Sequence, residues 1–365
     1  NKKALKADMA VERVVFNAIT KSAILSAIKS PREIDTDLVE AYLARNSLDY
    51  LMGFNISPVL WQRLRGAAKS AGRVQSPALR LVVDREIEIE KFKTEEYWTI
   101  SADFKDKNNN VIRANLSLLN DEKVEKFSFK DSDTTNTTAN ELEQKEYHVT
   151  SVTSQKRNRN PYAPFTTSTL QQSASTNLKV SPRDVMSTAQ KLYEAGLITY
   201  MRTDGIEMAP EGITSARKQI SNSLGDHYLP EKPRVFKNKA KNAQEAHECI
   251  RPTDFSKTPE NAKNLNKSEL DLYALIWKRA LASQAKAAEV LQTTVLISSL
   301  CDSAQFRLSG QVVTFEGHLK IFQDTKKEDD DKRIPDIREE SKMKLEKINK
   351  EQHFTEPPPR FNEAS

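Results

Sequence analysis

Residues 181–205 read SPRDVMSTAQKLYEAGLITYMRTDG. The first half predicts a helix with both ends marked. Ser181 stands at the N-cap, Pro182 at the first helical position, Asp184 at the third, and Gly196 just past the end. Val185, Ala189, Leu192 and Tyr193 form its apolar side. Leu197-Ile198-Thr199 then reads as a short strand ending at Tyr200, where side chains are presented rather than buried. In an extended segment Arg202 and Asp204 fall on the same face as Tyr200. A phenol, with a pKa near ~10, is a poor nucleophile unless something favours the phenolate. A guanidinium two residues on can grip two phosphate oxygens and offset charge in a pentacoordinate transition state. Asp204 can hold Arg202 or the turn. Spacing alone favours a plainer reading, a packed tyrosine beside an Arg-Asp surface pair, because Y-x-R-x-D is short.

Outward from this stretch the pattern is helical on both sides. TSTLQQSASTNL (167–178) predicts a helix, and SELDLYALIWKRALASQAKAA (268–288) a long one. Alternating segments flank this block: YWTISADF, VIRANLSLL and YHVTSVTS before it, and TTVLISSL, FRLSGQVVTF and HLKIF after it. DSDTTNTTANELEQ (131–144) reads as a loop leading into a short helix. Lys326 to Gln352 is charge-dense, with only Ile334, Ile337, Leu345 and Ile348 to bury, and reads as a solvated loop and a short strand. Nearer the N-terminus, Val14-Val15-Phe16 is strand-like and AITKSAILSAIKS helical up to Pro31. IDTDLVEAYLARNSLDYLMGF (34–54) predicts a helix capped by Asp35 or Thr36 and ending at Gly53. Its apolar stripe is Leu38, Tyr42, Ala44, Leu48 and Leu51. AGRVQSPALRLVVDREIEIEKF (71–92) predicts another helix. The order implies a multidomain α+β protein in which a helical domain is inserted into a β-rich one.

Composition narrows the function. The chain has 365 residues, more than one core usually serves. No apolar run approaches the ~18 residues of a membrane span, so no membrane partner is expected. Its net charge of +5 leans mildly toward an acidic partner. Its two cysteines, Cys249 and Cys301, form no C-x-x-C pair, which fits a reducing compartment and excludes a zinc ribbon. Only 9 glycines occur, and no Gly-rich phosphate loop is among them, so no ATP or dinucleotide cradle is present.

Further stretches bear on Tyr200. KSAGRVQSPALRL (69–81) opens a helix with Ser70, Ala71 and Gly72, small enough for close approach of a phosphate, beside the cations Arg73 and Arg80. NPYAPFTTSTLQQSAS (160–175) sets hydroxyls and amides before a helix. AQEAHECIRPTD (243–254) places His247 beside Glu245 and Glu248 and close to Arg251. HFTEPPPRFNEAS closes the chain.

In this order, SAGRVQS, PFTTSTLQQ, ITYMRTD, EAHECIRPTD and HFTEPPPRFNEAS resemble bacterial type IA DNA topoisomerases, over essentially Arg13 to Ser365. Met201 and Ser76 resemble the topoisomerase I branch rather than the topoisomerase III branch. The resemblance implies a toroid with helical domains and a β-rich arch or hinge. It implies relaxation of negatively supercoiled DNA through a transient 5′-phosphotyrosine link, without ATP and with Mg²⁺. Tyr200 would be the nucleophile, Arg202 the cation at the scissile phosphate, and His247 a group that helps bind or orient it. Gln190, Glu194 and Asp204 would line the site. Ser70, Ala71, Gly72, Arg73, Val74 and Gln75 would contact single-stranded DNA, with Arg45, Asn46, Tyr50, Phe54 and Arg13. Domains are expected at 1–35 (the end of a metal-binding Toprim domain), 36–93 (helical, DNA-binding) and 94–158 (arch). Then follow 159–288 (the inserted domain with the tyrosine), 289–350 (arch) and 351–365 (return to the helical domain). A cytoplasmic monomer at the nucleoid is expected.

Departures accompany the resemblance. Asn46 stands where a second arginine is usual, Asn17-Ala18 where an asparagine-glutamate pair is, Arg65-Gly66 where a proline-glycine turn is, and Cys249 where an alanine is. No metal site is expected: Asp35 and Asp37, in D-x-D-x-x-E spacing, read as helix caps, and KDSDTT (130–135) fares no better. The metal carboxylates would therefore precede this chain. A DNA-binding ring without catalysis is the alternative. A tyrosine recombinase would need several separated arginine and histidine residues and leaves SAGRVQS unexplained.

Overall fold

A computed structural model describes residues 11–15, 21–64, 69–107, 109–237, 248–323, 334–335, 337–362 and 364. The chain divides into two compact units. One comprises Asn1–Phe92, Asn238–Glu248 and Pro358–Ser365, the other Lys93–Lys237 and Cys249–Pro357.

The first unit is helical. Its described elements are α1 (Lys21–Lys29), α2 (Thr36–Leu64) and α3 (Gln75–Lys91). Asp35 caps α2 by accepting the Leu38 amide at 3.0 Å. The expected stop at Gly53 does not occur, because its backbone stays helical and α2 runs on through Pro58. The predicted stripe on α2 is exposed: Leu38, Tyr42, Leu48 and Leu51 are each about half accessible. Ser57 is the buried residue of α2 among those described. The helix expected from residue 71 begins at Gln75, so SAGRV forms an irregular lead-in. Of the strand-like Val14-Val15-Phe16, Val14 and Val15 are irregular and Phe16 lies outside the described residues; the pairing there is a bridge from Arg13 to Arg32. The C-terminal tail is fixed on α3 by Arg360, 2.6 Å from Glu86, and by Phe361 beneath the Arg85 guanidinium.

The second unit holds an antiparallel sheet and a helical body. The strands are β1 (Glu96–Lys105), β2 (Val111–Leu119), β3 (Glu122–Lys123), β4 (Tyr147–Arg159), β5 (Ala288–Ser299), β6 (Ala304–Phe315) and β7 (Lys342–Phe354). Their order is β1-β7-β4-β5-β6-β2-β3, and a β1–β2 pairing closes the first six into a barrel. Closure leaves few free strand edges. Phe104, Tyr147 and Phe306 meet edge-on at the centre, with centroids 5.2–5.6 Å apart. Helix α4 (Ser132–Glu143) covers one end through Ala139 and Leu142. Its cap is Asp131, which accepts the Thr134 amide at 2.7 Å, so the segment read as partly loop is almost wholly helical.

Two segments differ from their sequence reading. HLKIF is not a strand: Gly317–Lys320 is a 3-10 turn. Gly317 has φ +50°, and a Cβ there would sit 2.5 Å from the Ala287 carbonyl oxygen. The charge-dense stretch ends in the 13-residue β7, whose Met343 and Ile348 face the core while charged residues alternate outward.

The helical body lies in sequence between β4 and β5. It contains α5 (Thr167–Leu178), α6 (Pro182–Glu194), α7 (Pro210–Leu224) and α8 (Lys267–Ser283). Helix α7 was not legible in the sequence. Leu170, Leu192, Ile198, Met201, Ile250, Tyr273 and Ile276 share one core. Among the described residues no helix is long and apolar enough to cross a membrane.

His318, in the 3-10 turn, is buried, and its Nδ1 has no partner among the described residues. Burial, then the charges of Arg159, Arg234 and Arg279, push its imidazole down to about 4. A histidine depressed in the folded state contributes stability above its unfolded value and loses it as pH falls toward the folded one. Between pH ~6.5 and ~4 up to roughly 3 kcal/mol should be lost here. In thermal unfolding across that window, His318→Gln should show a shallower pH dependence than wild type; parallel curves would contradict this.

Candidate active site and nucleic-acid interface

The helix before Tyr200 ends as its sequence dictates. Ser181 accepts the Asp184 amide at 3.2 Å, and Gly196 takes φ +68°. The Leu197 amide donates to Leu192 O and the Gly196 amide to Tyr193 O, which satisfies the last carbonyls of α6. The chain then enters a joint of three motifs. Ile198 bridges Pro252, and Phe165 bridges Ile250. The Thr199 amide donates to Arg251 O at 2.9 Å, its hydroxyl donates to Cys249 O at 2.7 Å, and it accepts the Arg251 amide at 3.0 Å. Thr167 holds the other side: its hydroxyl donates to Met201 O at 2.7 Å and accepts the Thr203 amide at 2.8 Å. PFTT, ITYMRTD and ECIRPTD are thus joined by hydrogen bonds of their own backbones. Thr166 caps α5. These two threonines of the hydroxyl-rich stretch are therefore engaged in structure.

The alternation past Thr199 is strict. Met201 and Thr203 are buried, at 1% and 6% accessibility, while Tyr200 (41%), Arg202 and Asp204 are exposed. The Tyr200 ring meets Tyr193 edge-on at 5.3 Å, a contact across the helix end that spacing did not reveal. One residue further along α6, Glu194 accepts from Gln190 Nε2 at 2.7 Å. Arg202 has no hydrogen-bond or ion-pair partner among the described residues, so of the two roles open to Asp204 holding Arg202 is not the one seen. His247 lies outside the described residues.

The second group of expected residues is in the helical unit. Tyr50 and Phe54 stack on α2, centroids 4.3 Å apart and planes 27° off parallel, and are 63% and 66% accessible. Arg45 lies over the Tyr42 ring at 5.4 Å, and Asn46 is exposed. The SAGRVQ segment is stitched to α2. Trp61 Nε1 donates to Lys69 O at 2.6 Å, the Ala71 amide to Ser57 Oγ at 3.2 Å, and Arg73 Nε to Asp49 at 2.8 Å. That bond from Arg73 holds the Asp49 carboxyl below its usual range. Ser70 Oγ donates to Gln75 Oε1 at 3.1 Å. Helix α3 starts at Val74 with no side-chain cap, so its first amides keep no side-chain acceptor. At Gly72 an added Cβ would meet Gln75 alone among the described residues, at 3.5 Å, so none of them demands glycine there. Arg80 is paired with Asp84 at 2.8 Å. Arg13 exchanges backbone hydrogen bonds with Arg32. Asp49, Ser57 and Trp61 were missed because their partners lie across a helix–loop contact that no period encodes.

No three His, Cys, Asp or Glu side chains come together as a metal site among the described residues. Asp35 is occupied as a cap. These residues do not fit a bound Mg²⁺.

The clamp thus presents Tyr200 and Arg202 on one exposed face, and Arg202 has no ion-pair partner among the described residues. Residues 33–365 match the family model described as DNA topoisomerase, and the chain belongs to that family. It is 44% identical over 378 residues to DNA topoisomerase 1 of Rickettsia felis, covering 100% of this chain and 48% of the relative. It is 47% identical over 363 residues to that of Zymomonas mobilis, covering 97% and 30%. The solved full-length topoisomerase I of Thermotoga maritima superposes with TM-score 0.77 at 34% identity, covering 96% of this chain and 56% of that one. The chain thus spans about half the length of the curated relatives it matches, or less.

Thr199→Val keeps the shape of the side chain but removes the hydroxyl's hydrogen bonds with the Cys249 carbonyl and the Arg251 amide. It should destabilise the helical body by about 1–3 kcal/mol. Urea unfolding checks this, and a midpoint equal to wild type would show that the clamp is dispensable.

Proposed function

We propose that this chain carries the nucleophile and single-strand-binding part of a type IA topoisomerase, which relaxes negatively supercoiled DNA without ATP. The observation that supports the reading best is Tyr200 and Arg202 on one exposed face of a segment whose alternate residues are buried. The phenol oxygen of Tyr200 forms a bond to a backbone phosphorus of one strand. The phosphorus–O3′ bond breaks, leaving a 5′-phosphotyrosine and a 3′-hydroxyl. The phenol proton leaves as the bond forms, and the departing O3′ takes one up. Arg202 offsets the charge on the equatorial oxygens. The new ester keeps the energy of the old one, so resealing is the same exchange reversed. Glu194 and Gln190 line the approach beside Tyr193, and Asp204 and His247 act near the phosphate.

Tyr50 and Phe54 offer a stacking platform for unpaired bases, and Arg45, Asn46, Arg13 and Ser70 to Gln75 follow the backbone. Asn46, lacking a charge, weakens one phosphate contact relative to an arginine. Mg²⁺ is taken as the cofactor of the whole enzyme and belongs to residues other than those described. The enzyme acts as a monomer on DNA in the cytoplasm.

Tyr200→Phe should bind a single-stranded oligonucleotide as wild type does and form no covalent adduct under conditions where the full enzyme does, as read by denaturing gels and mass spectrometry. An adduct on the Phe variant would assign the nucleophile elsewhere. A non-catalytic DNA-binding ring becomes the better reading if the wild-type full enzyme forms none.

The chain should also prefer a single strand to a blunt duplex of the same sequence, with affinity for both falling as salt rises. Equal affinities in fluorescence anisotropy at one salt concentration would remove the role given to Tyr50 and Phe54.

A further inference from the structure

The outer face of the barrel is unlike the rest of the charged surface. Val295, Ile297 and Phe306 point inward from β5 and β6, so their neighbours in sequence point out. On that outer side two rows cross three strands. Gln155, Gln292 and Gln311 stand opposite one another, and so do Thr153, Thr294 and Ser309. The rows lie between two arginines. Arg157 is on β4 opposite Val290, and Arg307 is on β6 opposite Leu296. Six residues of β5 separate those levels, on the order of 20 Å. A cavity of about 590 Å³ opens on this face; a second of about 1050 Å³, lined in part by the inward-facing Ile112, Leu116 and Leu308, adjoins it and shares Ser117, Lys123 and Arg307.

Two features distinguish this face from an ordinary solvated sheet. First, no carboxylate lines either cavity among the described residues, in a chain with 51 acidic residues. Arg73, Arg80 and Arg360, away from this face, and Arg113, at the edge of the larger cavity, each lie within 2.8 Å of a carboxylate. Arg157 and Arg307 have no ion-pair or hydrogen-bond partner among the described residues. Lys123 has only a 4.0 Å approach to Glu125. Second, no aromatic ring lines the cavities among the described residues. Hydroxyls, amides and unpaired cations are the groups that read phosphate and sugar without reading bases. A single strand, whose bases look for stacking partners, gains little here. A duplex, whose bases are already stacked, offers only its backbone.

We propose that this face of the barrel, bounded by Lys123, Arg157 and Arg307, is a second nucleic-acid surface that takes the backbone of duplex DNA without base preference. The proposal rests on the reading of the chain as a topoisomerase segment. It assigns duplex and single strand to different places, the barrel face and the Tyr50–Phe54 platform.

The test uses the whole chain and three fluorescent probes: a blunt duplex, a single strand of the same sequence, and polyglutamate. The variant K123Q/R157Q/R307Q should lose at least tenfold in duplex affinity at 0.1 M salt. Its slope of log affinity against log salt for duplex should fall by about 2–3, near 0.9 for each phosphate no longer neutralised. Its single-strand binding should be nearly unchanged. Y50A/F54A should do the reverse. R157K/R307K, which keeps the charges, should retain duplex binding and separates charge from any fault in folding. Duplex binding equal to wild type in the triple variant overturns the inference while leaving the single-strand reading intact. Failure of the wild-type chain to bind either nucleic acid overturns both. Polyglutamate binding that falls in the triple variant, with duplex binding unmoved, makes the face a protein-docking surface and also overturns it.

Discussion

Thr199 holds the candidate site together. Its amide and hydroxyl make three hydrogen bonds to Cys249 and Arg251, some fifty residues along the chain. Each bond is worth only about 1 kcal/mol net, but breaking one leaves a buried polar group unmet. Because the clamp fixes the backbone immediately before Tyr200, it also fixes which residues beyond it turn inward. Met201 and Thr203 become core, and Tyr200 and Arg202 are left outside. Thr167 repeats the device from the other side. An exposed tyrosine can therefore sit on a rigid support rather than on a loose loop, which is what pre-organised chemistry requires.

The parts of this architecture legible in the sequence are those set by neighbours in the chain. Helix α6 was readable to the residue, since Ser181, Pro182 and Gly196 each satisfy a local need of the backbone. The alternating segments gave β1, β2 and β4 for the same reason. What failed depended on distant partners. Gly53 looks like a helix stop only if its backbone leaves the helix, and nothing in α2 makes it do so. The charged β7 outgrows the short strand expected there because β1 pairs with it from Lys344 to Phe354 and β4 pairs with Lys342 and Met343. HLKIF turns because Ala287 crowds Gly317. Within the site, the Tyr200-Arg202-Asp204 alternation was visible, whereas the Tyr193 contact, the Asp49–Arg73 pair and the threonine clamp were not. All three join residues that no helical or strand period relates.

Charge is distributed by the same logic. Four arginines of the helical unit are spent on carboxylates of that unit, Arg73 on Asp49, Arg80 on Asp84, Arg85 on Glu88 and Arg360 on Glu86. These exposed pairs add little stability, because solvent screens them. Their larger effect is to orient side chains and to leave the remaining cations conspicuous. In the other unit Arg157, Arg202 and Arg307 have no ion-pair partner among the described residues. The net charge of +5 is too small to indicate this, because it averages over matched and unmatched groups.

The pairing of Arg159 with Ala288 has a topological meaning. The helical body leaves the barrel and returns to it at adjacent residues, so the barrel treats residues 160–287 as one very long hairpin loop. The entropy of closing a loop grows only logarithmically, by about 0.6 kcal/mol for each doubling of length. Lengthening or shortening the insert thus costs the barrel little once its two ends are held. Such a module can be lost, enlarged or exchanged by recombination at one seam, and a lineage can remodel the tyrosine-bearing body without redesigning the sheet that carries it.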